Sequence, residues 1–569
     1  MQALSSQHPL WRRLASVLRQ LGVLGLALAL LLPLGWSLWA ALATTWQPQG
    51  WAALWADPQT AAALGLSLWT GLASTALACA LAAWIASVAL VGAGRGRWTR
   101  WLAPMLAVPH AAFAIGLVAL LAPSGWLLRA LSPWATGLDA PPPWPTTQDP
   151  WGVGLITALA CKEVPFLLWC TAAWLQRPDV GQRLQRELQL AATMGYAPHT
   201  AWWRIALPQL APRLAAPVLA VWAYSLTVVD MALVIGPGTP PTLAVLAWQW
   251  LQDADPARNA QGAAAAGLLL MVLVATAALA AGVARSAWLR QRWSAGAPPA
   301  GATPAQRPGR GATHAATALA LVYAAVLLAL LLGSVVGSWP FPALWPETMS
   351  LAAWESVAGS AATLQTTVWL GVAASATALL WVVAWLEWGA GAHTPRTTAL
   401  VQWALALPLV VPALLWVVGL HRLVLAWGVG HSAWGLWLVH TLVCLPYVYL
   451  ALVGPYTGFS PQAWQVAASL GRSRWVFLWR IKWPLLRAAL AFAFAVGCAV
   501  SVAQYLPTLY VGAGRFSTVT TEAMALAAGG QRSLAAAFAW LQWLLPVLVF
   551  ALATWLGRAR RFGTSARPA

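Results

Sequence analysis

Apolar and polar positions along this chain come in blocks. Runs of apolar residues of about 20, the length that crosses a bilayer as a helix, recur at 21–43, 62–91, 101–122, 152–175, 214–236, 263–284, 315–338, 361–386, 398–420, 433–454, 488–511 and 535–557. The pattern predicts an all-α membrane protein with twelve transmembrane helices. The stretches between the runs are short and hold nearly all the charge. The first run follows Arg12, Arg13 and Arg19 and is longer than the core of a signal peptide, so it predicts an uncleaved first span.

Composition sharpens this picture. The chain has 569 residues, of which 60% are hydrophobic and 8% charged, and its mean hydropathy is +0.69, values that exclude a soluble globule. A net charge of +19 raises nucleic acid as a partner, but the placement of the charges argues against it. All but two of the 32 basic residues are arginines, the exceptions being Lys162 and Lys482. With the N-terminus inside, 26 of them fall on the inner side, and only Arg129, Arg258, Arg422, Arg515 and Arg532 fall outside. Such a bias orients helices in a membrane and predicts that both termini are cytoplasmic. The five cysteines lie within apolar runs without metal-ligand spacing and read as small packing residues.

One polar, basic stretch occurs twice. Residues 187–213 read ELQLAATMGYAPHTAWWRIALPQLAPR, and 463–487 read AWQVAASLGRSRWVFLWRIKWPLLR. Gly195 lies thirteen residues before Pro208, and Gly471 thirteen before Pro484. Ile205 and Ile481 each stand three before the proline. Each copy predicts a short helix closed by a glycine C-cap, an aromatic and basic turn, and a proline opening the next helix. A second pair of landmarks agrees: Pro104 and Pro109 precede Gly116, while Pro408 and Pro412 precede Gly419, with seven residues from the later proline to the glycine in both. The chain is therefore expected to be a duplication. Its parts would be a cytoplasmic N-terminal segment 1–20, a first transmembrane unit 21–285, a Pro/Gly/Ala/Arg-rich linker 286–314, a second unit 315–557 and a C-terminal tail 558–569. Each loop reads either as an amphipathic segment lying on lipid headgroups or as one gripped by a cytoplasmic partner, which two copies at matched spacing favour; docking would bury Trp202, Trp203, Trp475 and Phe477 as apolar anchors.

The repeated loop resembles the EAA loop of the inner-membrane permease subunits of binding-protein-dependent ABC importers, in which Glu-Ala-Ala is followed by Gly and then by Ile-x-Leu-Pro. The matching residues are Gln189, Ala191, Gly195, Ile205 and Pro208 in the first copy, and Gln465, Ala467, Gly471, Ile481 and Pro484 in the second. Gln stands for the usual Glu in both, and Trp483 for Leu in the second. The two-in-one arrangement resembles the fused permeases of the ferric-iron and thiamine type, and CKEVPF (161–166) with SVAQYLPTLYVGAGRFSTVTTEAMAL (501–526) is most similar to a thiamine-linked branch. The resemblance implies two tandem six-helix permease units in a bacterial inner membrane. It implies coupling loops that dock on a homodimer of ATP-binding subunits, a periplasmic substrate-binding protein, and a small-molecule substrate such as thiamine. ATP and Mg would be used by the partner ATPase, with no cofactor bound by this chain. The sequence agrees that ATP is not hydrolysed here, since neither lysine sits in a Gly-Lys-Ser/Thr phosphate loop, and no catalytic triad or histidine-rich metal motif is present.

Charges inside spans are expensive and usually pair or face a cavity. Lys162, Glu163 and Asp230 are such charges. Two readings stand side by side: an ion pair such as Lys162–Asp230 that fixes helix packing, or a lining for the translocation path. Their polar counterparts in the second half are His440, Gln504 and Tyr505, with His440 expected to be a packed, hydrogen-bonded residue rather than a ligand. An ion-coupled secondary transporter with two internal repeats is the rival reading of the same pattern.

Overall fold

The computed structural model describes residues 9–89, 102–286, 310–389 and 395–558. Most of the linker, and the greater part of the C-terminal tail, lie outside the described residues. The principal helices of the first half are α1 (Pro9–Thr45), α2 (Thr60–Ala89), α3 (His110–Leu121), α4 (Val153–Gln176), α5 (Pro178–Thr193), α6 (Ala215–Thr227), α7 (Asp230–Ile235), α8 (Leu243–Leu251) and α9 (Pro256–Arg285). Those of the second half are α10 (Arg310–Gly333), α11 (Ala361–Gly389), α12 (Pro395–Val410), α13 (Ala413–Ala426), α14 (Ala433–Thr457), α15 (Gln462–Ser469), α16 (Arg487–Val502), α17 (Leu506–Gly512), α18 (Val519–Ala528) and α19 (Arg532–Gly557).

Among the described residues ten helices are long and apolar enough to cross a membrane, or twelve if each of two bent pairs counts as one span. The bends fall at prolines. α12 and α13 meet at 115° around Pro412, which caps α13 without an N–H to give to the preceding turn. The helix Arg474–Leu485 meets α16 at 73° just after Pro484. Two further runs that the apolar pattern presents as continuous, 214–236 and 488–511, are each interrupted: α6 ends at Thr227 and α7 starts at Asp230, while α16 ends at Val502 and α17 starts at Leu506.

The internal symmetry is visible in the register. Asp230 and Leu506, Leu243 and Val519, and Pro256 and Arg532 open matching helices, and each pair is 276 residues apart, the interval between Pro208 and Pro484. The hydrogen bonds match as well. The N–H of Leu243, opening α8, donates to Ser67 Oγ at 2.8 Å, and the N–H of Val519, opening α18, donates to Thr367 Oγ1 at 2.9 Å. In both halves a buried hydroxyl on the long second span satisfies a helix N-terminus that would otherwise lack an acceptor.

The halves exchange their first helices. Val23, Ala27, Leu30 and Leu34 of α1 belong to the core built from α11, α13 and α14, while Tyr323, Val326 and Leu330 of α10 belong to the core of the first half. The repeated glycines sit at the crossings. A Cβ on Gly116 would come within 2.7 Å of Val326, and one on Gly419 within 2.0 Å of the Ser37 carbonyl oxygen. Only glycine lets the two backbones approach this closely, which gives the Pro-to-Gly interval its physical reason. In a membrane, where lipid is as apolar as leucine, such close contact is a main source of helix association.

Candidate coupling loops and buried polar cluster

Both repeated loops are built the same way. α5 ends in a left-handed glycine, Gly195 at φ +83°, with its N–H bonded to Ala192 O and the Tyr196 N–H to Ala191 O. α15 ends in Gly471 at φ +69°, with its N–H on Ala468 O and the Arg472 N–H on Ala467 O. Nothing lies within 4 Å of a Cβ on either glycine, so backbone conformation rather than crowding demands glycine there. A second short helix follows, Pro198–Ala201 and Arg474–Phe477, then a single π-helical turn, Trp202–Ala206 and Leu478–Lys482, which holds Ile205 and Ile481. Pro208 and Pro484 stand at the start of the next helical segment. Ala191 and Ala467 face inward, each 3% exposed, whereas Gln189 and Gln465 point outward.

The exposed faces are apolar in both copies: Leu190 and Met194 in the first, Val466, Leu470, Trp475 and Trp479 in the second. Trp202 and Phe477 are not part of those faces. Trp202 is 1% exposed and donates its indole N–H to Ala83 O of α2 at 3.0 Å, and Phe477 is 5% exposed against Trp464. They are already desolvated by their own chain, so the expectation that they anchor a partner is corrected; a helical apolar stripe cannot say which apolar side turns inward.

A half-buried polar cluster lies in the first half, with Glu163 its enclosed member. His110, which opens α3, is 3.2 Å from Glu163 of α4 and packs on Tyr224, with ring centroids 4.5 Å apart. Tyr224 in turn donates its hydroxyl to Asp230 at 3.1 Å. Asp230 occupies the first turn of α7, where the free N–H groups and the helix dipole favour an anion. Tyr505 caps the matching helix α17 in the second half and lies within electrostatic reach of Asp230, as Tyr447 does of Glu163. The expected Lys162–Asp230 pair does not form. Lys162, 4% exposed, makes no ion pair among the described residues, and the partners of the two carboxylates come from His110 and Tyr224, which carry no charge signal in the sequence. His440 is fully buried between Ser501 Oγ at 2.8 Å and Thr508 Oγ1 at 3.0 Å, joining α14, α16 and α17. Gln504, in the interruption between α16 and α17, donates its amide to Val500 O of α16 at 2.9 Å.

The chain is 36% identical over 523 residues to the inner membrane ABC transporter permease protein YnjC of Escherichia coli (strain K12), a match that covers 90% of this chain and 92% of the relative. The chain belongs to the ABC-transporter inner-membrane permeases. No protein-family model matches it. The permease is thus a multi-pass inner-membrane transport subunit and not an enzyme, and among the described residues no group of three or more His, Cys, Asp or Glu side chains could hold a metal ion.

One functional-looking residue of this permease escapes sequence reasoning. Glu387, near the end of α11 and 7% exposed, accepts hydrogen bonds from Arg474 at 2.8 Å, Lys482 at 2.6 Å and the Tyr456 hydroxyl at 2.8 Å. Arg474 and Lys482 belong to the second repeated loop. In the sequence Glu387 is a single acid at the end of an apolar run, and its partners are 87 and 95 residues away. The first loop holds a different carboxylate, Glu187, paired with Arg183 at 2.8 Å and with the Gln209 amide at 2.5 Å. The Gln209 hydrogen bond, with that from Arg183, keeps the Glu187 carboxyl below the usual carboxylate range.

Proposed function

We propose that this permease forms the translocation path of an ABC importer, and that loops 187–208 and 463–484 are the two coupling elements that dock on a pair of ATP-binding subunits. The observation that carries the reading is the matched geometry of the two loops. The same left-handed glycine, short helix and π-turn recur 276 residues apart, and each presents exposed apolar side chains. A partner that grips both needs two like surfaces, which a homodimer supplies. The arginine bias puts both loops on the cytoplasmic side, where ATP is available. Burial of Leu190 and Met194, or of Trp475 and Leu470, in a partner groove would contribute about 1.5–3 kcal/mol per large side chain.

In this reading the substrate is a small solute delivered by a periplasmic binding protein, with thiamine the candidate that the branch resemblance names. The path runs between the halves past Glu163, Asp230 and Tyr505. The interruptions before α7 and α17 leave backbone groups without intrahelical partners, and such groups at membrane depth face protein or a cavity rather than lipid. The test is transport in proteoliposomes reconstituted with the ATPase and the binding protein. Uptake that requires ATP and is lost in Asp230→Ala supports the path; uptake driven by an ion gradient without ATP favours the secondary-transporter reading.

A further inference from the structure

The two loops are held to the transmembrane helices by different means, and in the second loop that means is a buried charge cluster. Glu387 sits in the last turn of α11, a span that packs along α14 and α16. Its carboxylate takes two of the loop's four cations: Arg474, at the start of the short helix, on Oε1, and Lys482, at the end of the π-turn, on Oε2. Tyr456 of α14 donates to Oε2 and accepts the indole N–H of Trp483 at 3.2 Å. Lys482 also lies over the Tyr456 ring, 4.0 Å from its centroid. One carboxylate thus grips the loop at both ends and ties it to two spans. Its neighbour Trp388 receives, at its carbonyl oxygen, the guanidinium N–H of Arg19 at 3.0 Å, so α1 of the other half joins the same point.

The first half has nothing comparable at the matching places. Lys482 and Arg474 correspond, at the 276-residue interval, to Ala206 and Pro198, and the first loop rests on Trp202 instead.

We infer that Glu387 is a positioning residue: through Arg474, Lys482 and Tyr456 it makes the second coupling loop move as one body with α11 and α14. This rests on the coupling role proposed above. A buried carboxylate is suited to the task because its bonds to cations are short and directional, and because losing it would leave Lys482 partly buried without its counter-ion. A displacement of the loop by an ATPase subunit then reaches the spans without being absorbed by loop motion. The first loop rests on the Trp202 indole bond and on the Glu187–Gln209 hydrogen bond, has no cation at either matching position, and transmits less rigidly.

The experiment uses the full chain reconstituted with its ATPase and binding protein. It measures substrate transported per ATP hydrolysed for the wild type, Glu387→Gln, Glu387→Asp and Tyr456→Phe. Glu387→Gln is expected to keep ATP hydrolysis while transport per ATP falls by about 5- to 10-fold. Glu387→Asp, which keeps the charge, should recover part of the ratio, and Tyr456→Phe, which removes the hydroxyl's bonds to Glu387 and Trp483 without stranding a charge, should lower it less. Should Glu387→Gln fail to fold, the Asp and Phe variants carry the same test. A wild-type ratio in every variant that folds overturns the inference while leaving the coupling reading standing. A wild-type permease that recovers no ATPase overturns both.

Discussion

At 198–210 the repeated loop is pinned by a buried tryptophan; at 474–485 the same backbone is pinned by a buried carboxylate. Trp202 fills the space beneath the first loop, and its counterpart at the 276-residue interval is Leu478, while the bulk shifts one residue back to Phe477, whose own counterpart is Ala201. The backbone tolerates the exchange because its course is fixed elsewhere, by Gly195 and Gly471 in the left-handed region and by the prolines after them. The difference teaches that the outer surface of a duplicated loop and its inner attachment answer to separate demands. Under the proposed coupling role the outer face suits a repeated partner, whereas the inner face packs on helices that have diverged.

The largest effect is expected from Trp202→Ala, which removes a fully buried indole and should lower stability by about 3–5 kcal/mol, read as loss of the folded fraction on heating in detergent. Leu478→Ala, at the matching position, should be milder because the carboxylate cluster still holds the second loop. Next come Gly195→Val and Gly471→Val. Each forces a β-branched residue to positive φ, at about 1–3 kcal/mol, and the two should cost alike because the same turn is strained in both; unequal losses would show that the loops do not share a backbone role. Trp202→Phe keeps most of the packing and loses the bond to Ala83 O, so about 1 kcal/mol is expected in the same assay.

The smallest effect concerns pH. Glu187 has its carboxyl held below the ordinary value by Gln209 and Arg183, so it stabilises the folded loop while ionised. That contribution is fully present above the unfolded value of about 4.3 and fades as pH falls through the lower folded value. Glu187→Gln should therefore lose about 0.3–0.5 kcal/mol at neutral pH and converge on the wild type in acid. A difference that grows in acid would contradict the pairing.

Much of this was legible in the residues. The apolar blocks anticipate the long helices, and Gly195 and Gly471 the left-handed caps, whereas 398–420 reads as one run although α12 and α13 meet at 115° around Pro412. The interruption before Asp230 was not legible, because Val228 and Val229 are as apolar as their neighbours and no proline or glycine stands there; the one before Leu506 carries a mark, Gln504 in the break and Pro507 opening the next helix, that an unbroken apolar run 488–511 passes over. Ion-pair partners were also hidden. Glu163 chose His110, 53 residues away, and Glu387 chose a loop nearly a hundred residues on, contacts that depend on which spans pack together. The internal repeat carries no signal for Glu387, since Lys482 and Arg474 have Ala206 and Pro198 as their counterparts in the first half.

Whether the loops grip an ATPase is read most directly from recovery of partner subunits with the tagged permease from membranes in mild detergent, for the wild type, Gly195→Val and Gly471→Val. The wild type is expected to bring down two copies of an ATP-binding subunit, and each variant, though folded, to lose at least one. A wild-type permease recovered alone, or variants that retain both subunits and full ATP-driven transport, would contradict that grip.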